Sequence, residues 1–178
     1  MTGNRERFPV KTLIGLRGGK PFKLKGSQMK IYEAQLQYSL VSEGVTAPLN
    51  FPAKIHQYMA GAFDKYPMQE SFWVICLNQK NHPIMRAMAS LGTATSALVN
   101  PAEIFRIAIL ANATGIAVAH NHPSGDPAPS RADINITRQL RECGSLMNIR
   151  LLDHIICGDQ KSDPQGIGFY SFSEAGLV

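Results

Sequence analysis

The sequence has few cysteines and no long apolar run. Its three cysteines, Cys76, Cys143 and Cys157, form no CxxC pair, and an odd number does not suggest the disulfide framework of a small secreted protein. They are expected to be buried thiols of a reducing cytoplasm. No segment approaches the roughly 18 consecutive apolar residues of a membrane span, and no signal-peptide core follows the charged start. The sequence therefore predicts a soluble, cytoplasmic protein.

Acidic residues are scarce only at the start of the chain. Residues 1–30 contain eight Lys and Arg residues but one acid, Glu6, whereas the remainder contains ten basic and twelve acidic residues. The net charge of +5 therefore belongs to the N-terminus. Because Arg17-Gly18-Gly19-Lys20-Pro21 interrupts any regular pattern, residues 1–28 are predicted to form a poorly ordered basic arm. Such an arm either binds nucleic acid or an acidic partner, or is only a solvated tail, and both alternatives stay open.

Residues 29–178 have the pattern of one domain of the α/β (α+β) class, with a curved mixed sheet flanked by helices. Apolar alternation or continuous apolar runs predict strands over Lys30–Val41, Ser71–Leu77, Ile84–Ser90, Ile116–Ala119, Ile149–Cys157 and Phe169–Phe172. Helical spacing predicts helices from Pro52 to Phe63 with His56 facing solvent, from Pro101 to before Gly115 with Asn100 as cap, and from Ala132 to about Glu142, ending near Gly144.

The stretch from His120 to Asp133 concentrates the residues that bear chemistry. Side chains alternate along a strand, so His120 and His122 are expected to point the same way. Turn residues from Pro123 to Pro129 reverse the chain, and the helix that follows brings Asp133 back toward the two imidazoles. Two imidazoles and one carboxylate suit Zn²⁺, and three protein ligands leave the fourth tetrahedral position to water, as in catalytic sites.

Some of these residues have a simpler interpretation. Ser130 and Asp133 match a helix capping box in its aspartate form, which needs no metal. Asp126 is interpreted as a turn aspartate that binds local backbone rather than as a ligand. The acid–imidazole pair Asp153-His154 is predicted either to orient the predicted zinc ligands without binding the ion itself or merely to close a loop. Capping alone does not explain two histidines at strand spacing before the turn.

The spacing His120-x-His122, seven residues, Ser130, two residues, Asp133 resembles the JAMM motif of the JAB/MPN metalloprotease superfamily. The segment His122-Pro123-Ser124-Gly125-Asp126-x-x-Pro129-Ser130 resembles its bacterial RadC-like branch. The family pattern also has a glutamate on an upstream strand, and Glu70 matches it. Further similar segments, which extend the resemblance over roughly the last two-thirds of the chain, are Gly92-Thr93, Pro101–Ile104, Leu152–Ile156 and Ser171–Gly176.

The resemblance implies a three-layer, cytidine-deaminase-like fold and a zinc metallopeptidase. His120, His122 and Asp133 would hold Zn²⁺, and Glu70 would act as general base on the zinc-bound water. Ser130 would hydrogen-bond the developing oxyanion. The substrate would be a peptide, protein or ubiquitin-like amide. Deamination is excluded because the chain lacks the Pro-Cys-x-x-Cys pair of zinc deaminases.

The sequence departs from RadC-like relatives at Ala102, where they tend to have Arg, and at Asn78, where they often have Asp. The helix-hairpin-helix segment of longer relatives is not recognisable, so a DNA-repair role does not follow from the family name. The alternative function is a DNA-associated accessory or repair protein that uses the domain as a binding platform. The basic arm supports that alternative, and the oligomeric state stays open.

Overall fold

The computed structural model describes residues 47–92 and 99–178. These residues form, in chain order, α1 (Pro52–Tyr58), β1 (Ser71–Leu77), β2 (Pro83–Leu91), α2 (Pro101–Leu110), β3 (Gly115–Asn121), α3 (Arg131–Met147), β4 (Arg150–Cys157) and β5 (Phe169–Ser171). The strands make one mixed sheet in the order β2-β1-β3-β4-β5. Only β3 and β4 are parallel among these neighbours. The predicted strand over Lys30–Val41 and the domain boundary after residue 28 lie outside the described residues.

Helices cover both faces of the sheet, which gives three layers. On one face, α2 and α3 contribute Ile104, Phe105 and Leu140 to a core shared with β1 and β3. On the other face, Ile55 of α1 and Met59, which follows that helix, belong to a second core with the same strands and β4. The central strands are therefore covered on both sides, which explains their nearly continuous apolar sequences. The predicted mixed α/β fold is confirmed. In residues 47–92 and 99–178, no helix is long and apolar enough to cross a membrane.

Two predictions about the first helix are wrong. The helix α1 ends at Tyr58 rather than near Phe63, because the chain turns at Met59 and Gly61 takes a φ of 76°. His56 does not face solvent but is half-buried and stacks on Phe169, with ring centroids 4.8 Å apart. Burial lowers the pKa of this imidazole. The apolar side of the ring therefore completes the packing between α1 and the edge strand β5.

The third helix also ends later than predicted. Gly144 does not stop it; α3 continues to Met147 and ends at Asn148, which takes the left-handed conformation with a φ of 55°. Gly144 is buried inside the helix, where the chain returns so closely that a Cβ atom at this position would overlap the carbonyl oxygen of Ile149. This glycine is explained by close backbone packing rather than by helix termination.

We expect Gly144→Ala to lower the free energy of unfolding by about 1 kcal/mol. Overpacking against backbone costs about 1–3 kcal/mol, which exceeds the gain of about 1 kcal/mol from the higher helix propensity of alanine. The control is Ser145→Ala at the next, exposed position of α3, which should change stability by no more than about 0.5 kcal/mol. Denaturant unfolding measures both variants. Equal midpoints for parent and Gly144→Ala would contradict the close approach.

Candidate metal centre

His120, His122 and Asp133 come together at one end of the sheet. His120 lies in β3, His122 follows that strand, and Asp133 lies in the first turn of α3. The two Nε2 atoms are 3.1 Å apart, and the Asp133 carboxylate lies 3.3 Å from Nε2 of His120 and 3.6 Å from Nε2 of His122. Together His120, His122 and Asp133 form a group that could hold a metal ion, here named the ligand group. Tetrahedral ligands with bonds of about 2.0–2.1 Å are about 3.4 Å apart, so these spacings fit one ion.

The capping box and the ligand group share the Asp133 carboxylate. The Asp133 backbone N–H donates to Oγ of Ser130 at 3.2 Å, and Oδ2 of Asp133 accepts from the Ser130 backbone N–H at 2.7 Å. The other oxygen, Oδ1, is the one closest to His120. The two sequence interpretations are therefore compatible, because the cap holds the carboxylate against the imidazoles.

The backbone of the turn fixes the ring of His122. Its Nδ1 lies 2.8 Å from the carbonyl oxygen of Asp126. A carbonyl oxygen only accepts, so Nδ1 carries a proton, and Nε2, which faces His120 and Asp133, is the nitrogen that a metal ion would take. The Asp126 side chain is exposed and accepts from the Ala128 backbone N–H at 2.9 Å, as the turn interpretation predicts.

Asp133 and His122 shift each other's pKa toward the charged form. Burial alone would raise the pKa of the Asp133 carboxyl, but hydrogen bonds with His120 and His122 outweigh it and hold this pKa well below its usual range. Burial alone would lower the pKa of His122, but the hydrogen bonds to Asp133 and to the Asp126 backbone raise it. Asp133 is therefore an ionised, anionic donor at neutral pH, as a metal cation requires.

Glu70 lies beside the ligand group without being part of it. The residue immediately precedes β1, and its Oε1 is 3.8 Å from Nε2 of His120. Its side chain is partly exposed, with a relative accessibility of 25%. The Glu70 carboxylate is therefore near the three residues that could hold a metal ion.

Asn121, which sequence reasoning did not single out, holds the backbone on both sides of Glu70. Its Oδ1 accepts from the backbone N–H of Ser71 at 2.9 Å and from the Ser71 hydroxyl at 3.1 Å, and its Nδ2 donates to the carbonyl of Gln69 at 3.0 Å. Strand alternation turns this side chain away from the neighbouring histidine rings. A polar residue inside a buried strand is the sequence signal that could have identified it.

The pair Asp153-His154 divides between the two predicted roles. His154 is fully buried behind His120, with its Nε2 2.9 Å from Nδ1 of His120. Burial holds the pKa of His154 well below its usual range, so the ring is neutral. Asp153 accepts from the Ser171 hydroxyl at 2.8 Å and from the Ser173 backbone N–H at 2.9 Å, and closes the end of the β4–β5 pair. His154 therefore contacts a predicted ligand, whereas Asp153 closes the loop.

A three-layer domain that places a His-x-His strand end, a capping aspartate and an upstream glutamate together has the features of a JAB domain. The family model for the RadC-like JAB domain matches residues 49–177. The chain belongs to this family, and the resemblance inferred from the sequence is confirmed.

Three similar curated proteins are longer than the region they share with this chain. The UPF0758 protein of Geobacillus kaustophilus is 39% identical over 152 residues, which cover 75% of this chain and 63% of that protein. The UPF0758 protein of Geobacillus thermodenitrificans is 45% identical over 114 residues, or 64% of this chain and 47% of that protein. That of Clostridium botulinum strain Hall is 41% identical over 151 residues, or 85% and 59%. The chain thus spans about half to three-fifths of these relatives' length.

Proposed function

We propose that this chain is a JAMM-type zinc metallopeptidase, a zinc-dependent hydrolase of peptide or isopeptide bonds. The observation that carries the proposal is the convergence of two imidazole nitrogens and the ionised carboxylate of Asp133 beside Glu70. Zinc held by His120, His122 and Asp133 would supply a water of pKa about 7 and would polarise the substrate carbonyl. Membership of the RadC-like JAB family supports this chemistry over simple metal storage.

Glu70 is assigned the proton transfers. Its Oε1 takes the proton of the attacking water and returns it to the leaving amine, which must be protonated to depart. The short distance to His120 and the clamp formed by Asn121 support this role, because a general base must stay within reach of the reacting water.

Ser130 is assigned the stabilisation of the oxyanion that forms on the substrate carbonyl. Its Oγ accepts the backbone N–H of Asp133, and a hydroxyl that accepts this hydrogen bond still has its own proton to donate. The residue is exposed at the start of α3, beside the ligand group, where a substrate carbonyl has access to it. Donation to the developing negative charge would stabilise the transition state.

A comparison of two proteins on a mixed substrate pool tests the proposal without a known substrate. Zinc-loaded parent and zinc-loaded Glu70→Gln are incubated at equal concentration with peptides from a whole-cell digest and with ubiquitin-like proteins joined to lysine peptides. Mass spectrometry counts the new amino termini and the released lysine side chains. Cleavage by the parent alone supports the hydrolase. A substrate pool that stays intact with the zinc-loaded parent, as with Glu70→Gln, would reject the hydrolase.

We expect Asn121→Ala to retain zinc and to lower kcat about tenfold to a hundredfold with little change in KM. Loss of the amide releases the backbone around Glu70, and a misplaced base costs rate rather than binding. The matched variant is Ser71→Ala, which removes one hydroxyl partner of Asn121 but keeps the backbone N–H, so its effect on kcat should be smaller. Thermal unfolding of both variants separates a loss of positioning from a loss of fold. Unchanged kcat in folded Asn121→Ala would contradict the clamp.

The DNA-associated alternative rests on the eight basic residues among residues 1–30, which lie outside the described residues. It stays a prediction. Binding to duplex DNA that weakens with salt and is lost on deleting residues 1–28 would favour it, provided that the shortened protein keeps its zinc content and thermal stability. DNA affinity that is unaffected by the deletion would remove the basic arm as its support.

A further inference from the structure

A chain of three short contacts runs behind the ligand group, from His120 to α3. Nδ1 of His120 lies 2.9 Å from Nε2 of His154, Nδ1 of His154 lies 2.6 Å from Oγ1 of Thr137, and Oγ1 of Thr137 lies 2.6 Å from the carbonyl oxygen of Asp133. His120, His154 and Thr137 are almost completely inaccessible to solvent. The chain therefore links one predicted ligand to the backbone of another without bulk water.

Hydrogen-bonding capacity fixes the direction of every bond in this chain. The Asp133 carbonyl only accepts, so the single hydroxyl proton of Thr137 is donated to it. Thr137 must then accept from His154, so Nδ1 carries the one proton that this fully buried ring can hold without placing a charge in the interior. Nε2 of His154 is left as an acceptor, so Nδ1 of His120 carries a proton. Nε2 of His120, which faces His122 and Asp133, is consequently the nitrogen that a metal ion would take.

The opposite tautomer of His120 does not fit this environment. With its only proton on Nε2, His120 would direct its Nδ1 lone pair at the Nε2 lone pair of His154, 2.9 Å away in a buried region where no ion could come between them. The Nε2 atoms of His120 and His122, 3.1 Å apart, face the group instead, where a bound ion would take both lone pairs. Buried polar atoms without partners are strongly disfavoured. The nitrogen needed for a metal would also be blocked by hydrogen.

We propose that Thr137 and His154 are positioning residues that hold His120 in the tautomer competent for metal binding. The last contact of the chain is to the backbone of Asp133, so the same four residues also tie the ring of His120 to the helix turn that carries the carboxylate. The proposal rests on the metal site proposed above and adds two residues outside the ligand group. Outer contacts of this kind typically change metal affinity by about tenfold to a hundredfold when removed.

Two variants at one position separate the hydroxyl from the shape of the side chain. Thr137→Val keeps the shape but can neither donate nor accept, whereas Thr137→Ser keeps the hydroxyl. Zinc affinity is measured by competition with a chelator. We expect Thr137→Val to bind zinc about tenfold to a hundredfold more weakly than the parent and Thr137→Ser to bind within a few-fold of it. Equal affinity of parent and folded Thr137→Val would overturn the proposal.

A second readout needs neither zinc nor a variant. Nitrogen-15 spectra of the histidine rings in the zinc-free parent report which ring nitrogen carries a proton. We expect His120 and His154 both to carry it on Nδ1, and Thr137→Ser to share this signature. A parent His120 without a proton on Nδ1 would overturn the proposal even if Thr137→Val failed to fold. A parent that binds no zinc would refute the proposed function, while these spectra would still decide the tautomer.

Discussion

Replacement of His122 by alanine is expected to abolish one-to-one zinc binding. The Nε2 atom of His122 lies 3.1 Å from Nε2 of His120 and 3.6 Å from Oδ2 of Asp133, and the group that could hold a metal contains no fourth residue in the described part of the chain. Two remaining protein ligands would leave the ion with weak affinity, because catalytic zinc sites keep three. Metal analysis after exhaustive dialysis measures the change, with thermal unfolding as a check on the fold.

The matched control is His56→Ala. His56 is also a half-buried histidine in contact with another ring, but it packs against Phe169 in the layer on the opposite face of the sheet. This variant should keep one zinc per chain although it loses packing area. Retention of one-to-one zinc in folded His122→Ala would show that other residues bind the ion and would contradict the proposed centre.

Glu70→Gln is expected to retain zinc and to lower the rate of hydrolysis about a hundredfold to ten-thousandfold. Glutamine preserves the shape of the side chain and its contacts, but an amide cannot take a proton from water or return one to the leaving amine. Because Glu70 lies outside the ligand group, zinc content should stay at one per chain. The substrate identified in the mixed pool serves for the measurement of kcat at equal zinc loading.

Glu103→Gln is the corresponding control, since Glu103 is an exposed acid in the first turn of α2. Its rate should equal that of the parent. A Glu70→Gln protein that hydrolyses the substrate as fast as the parent would require another base, and the assignment of Glu70 would fail. Loss of zinc from Glu70→Gln would instead make this residue part of the ligand group.

Local signals in the sequence were enough to predict the main parts of the fold and the convergence of His120, His122 and Asp133. The continuous apolar run of β1 identifies a strand covered on both faces, and Asn100 caps α2 as predicted, accepting from the Ala102 backbone N–H at 2.9 Å. The ligand residues lie within fourteen positions along a strand, a turn and a helix start. Their convergence therefore depends on local geometry alone.

The supporting residues could not be predicted, because their contacts depend on sheet register and helix packing. Asn121 reaches Ser71 across 50 residues of sequence, and His120 reaches His154 across 34. The end of α3 was predicted wrongly for a related reason: Gly144 satisfies a tertiary contact with Ile149, whereas sequence reasoning interpreted the glycine as a local stop. Helix and strand propensities contain no information about such distant partners.

Asp133 belongs both to the helix cap and to the group that could hold a metal ion. Closure of the first turn of α3 and binding of an ion are therefore coupled equilibria. If an ion favours the conformation in which the first turn of α3 is closed, closure of that turn favours the ion by the same factor. Fraying of the first turn of α3 would then weaken ion binding, and loss of the ion would make that turn fray more easily. A binding partner that contacts residues 130–133 would therefore change the affinity of the protein for the ion without contacting either imidazole.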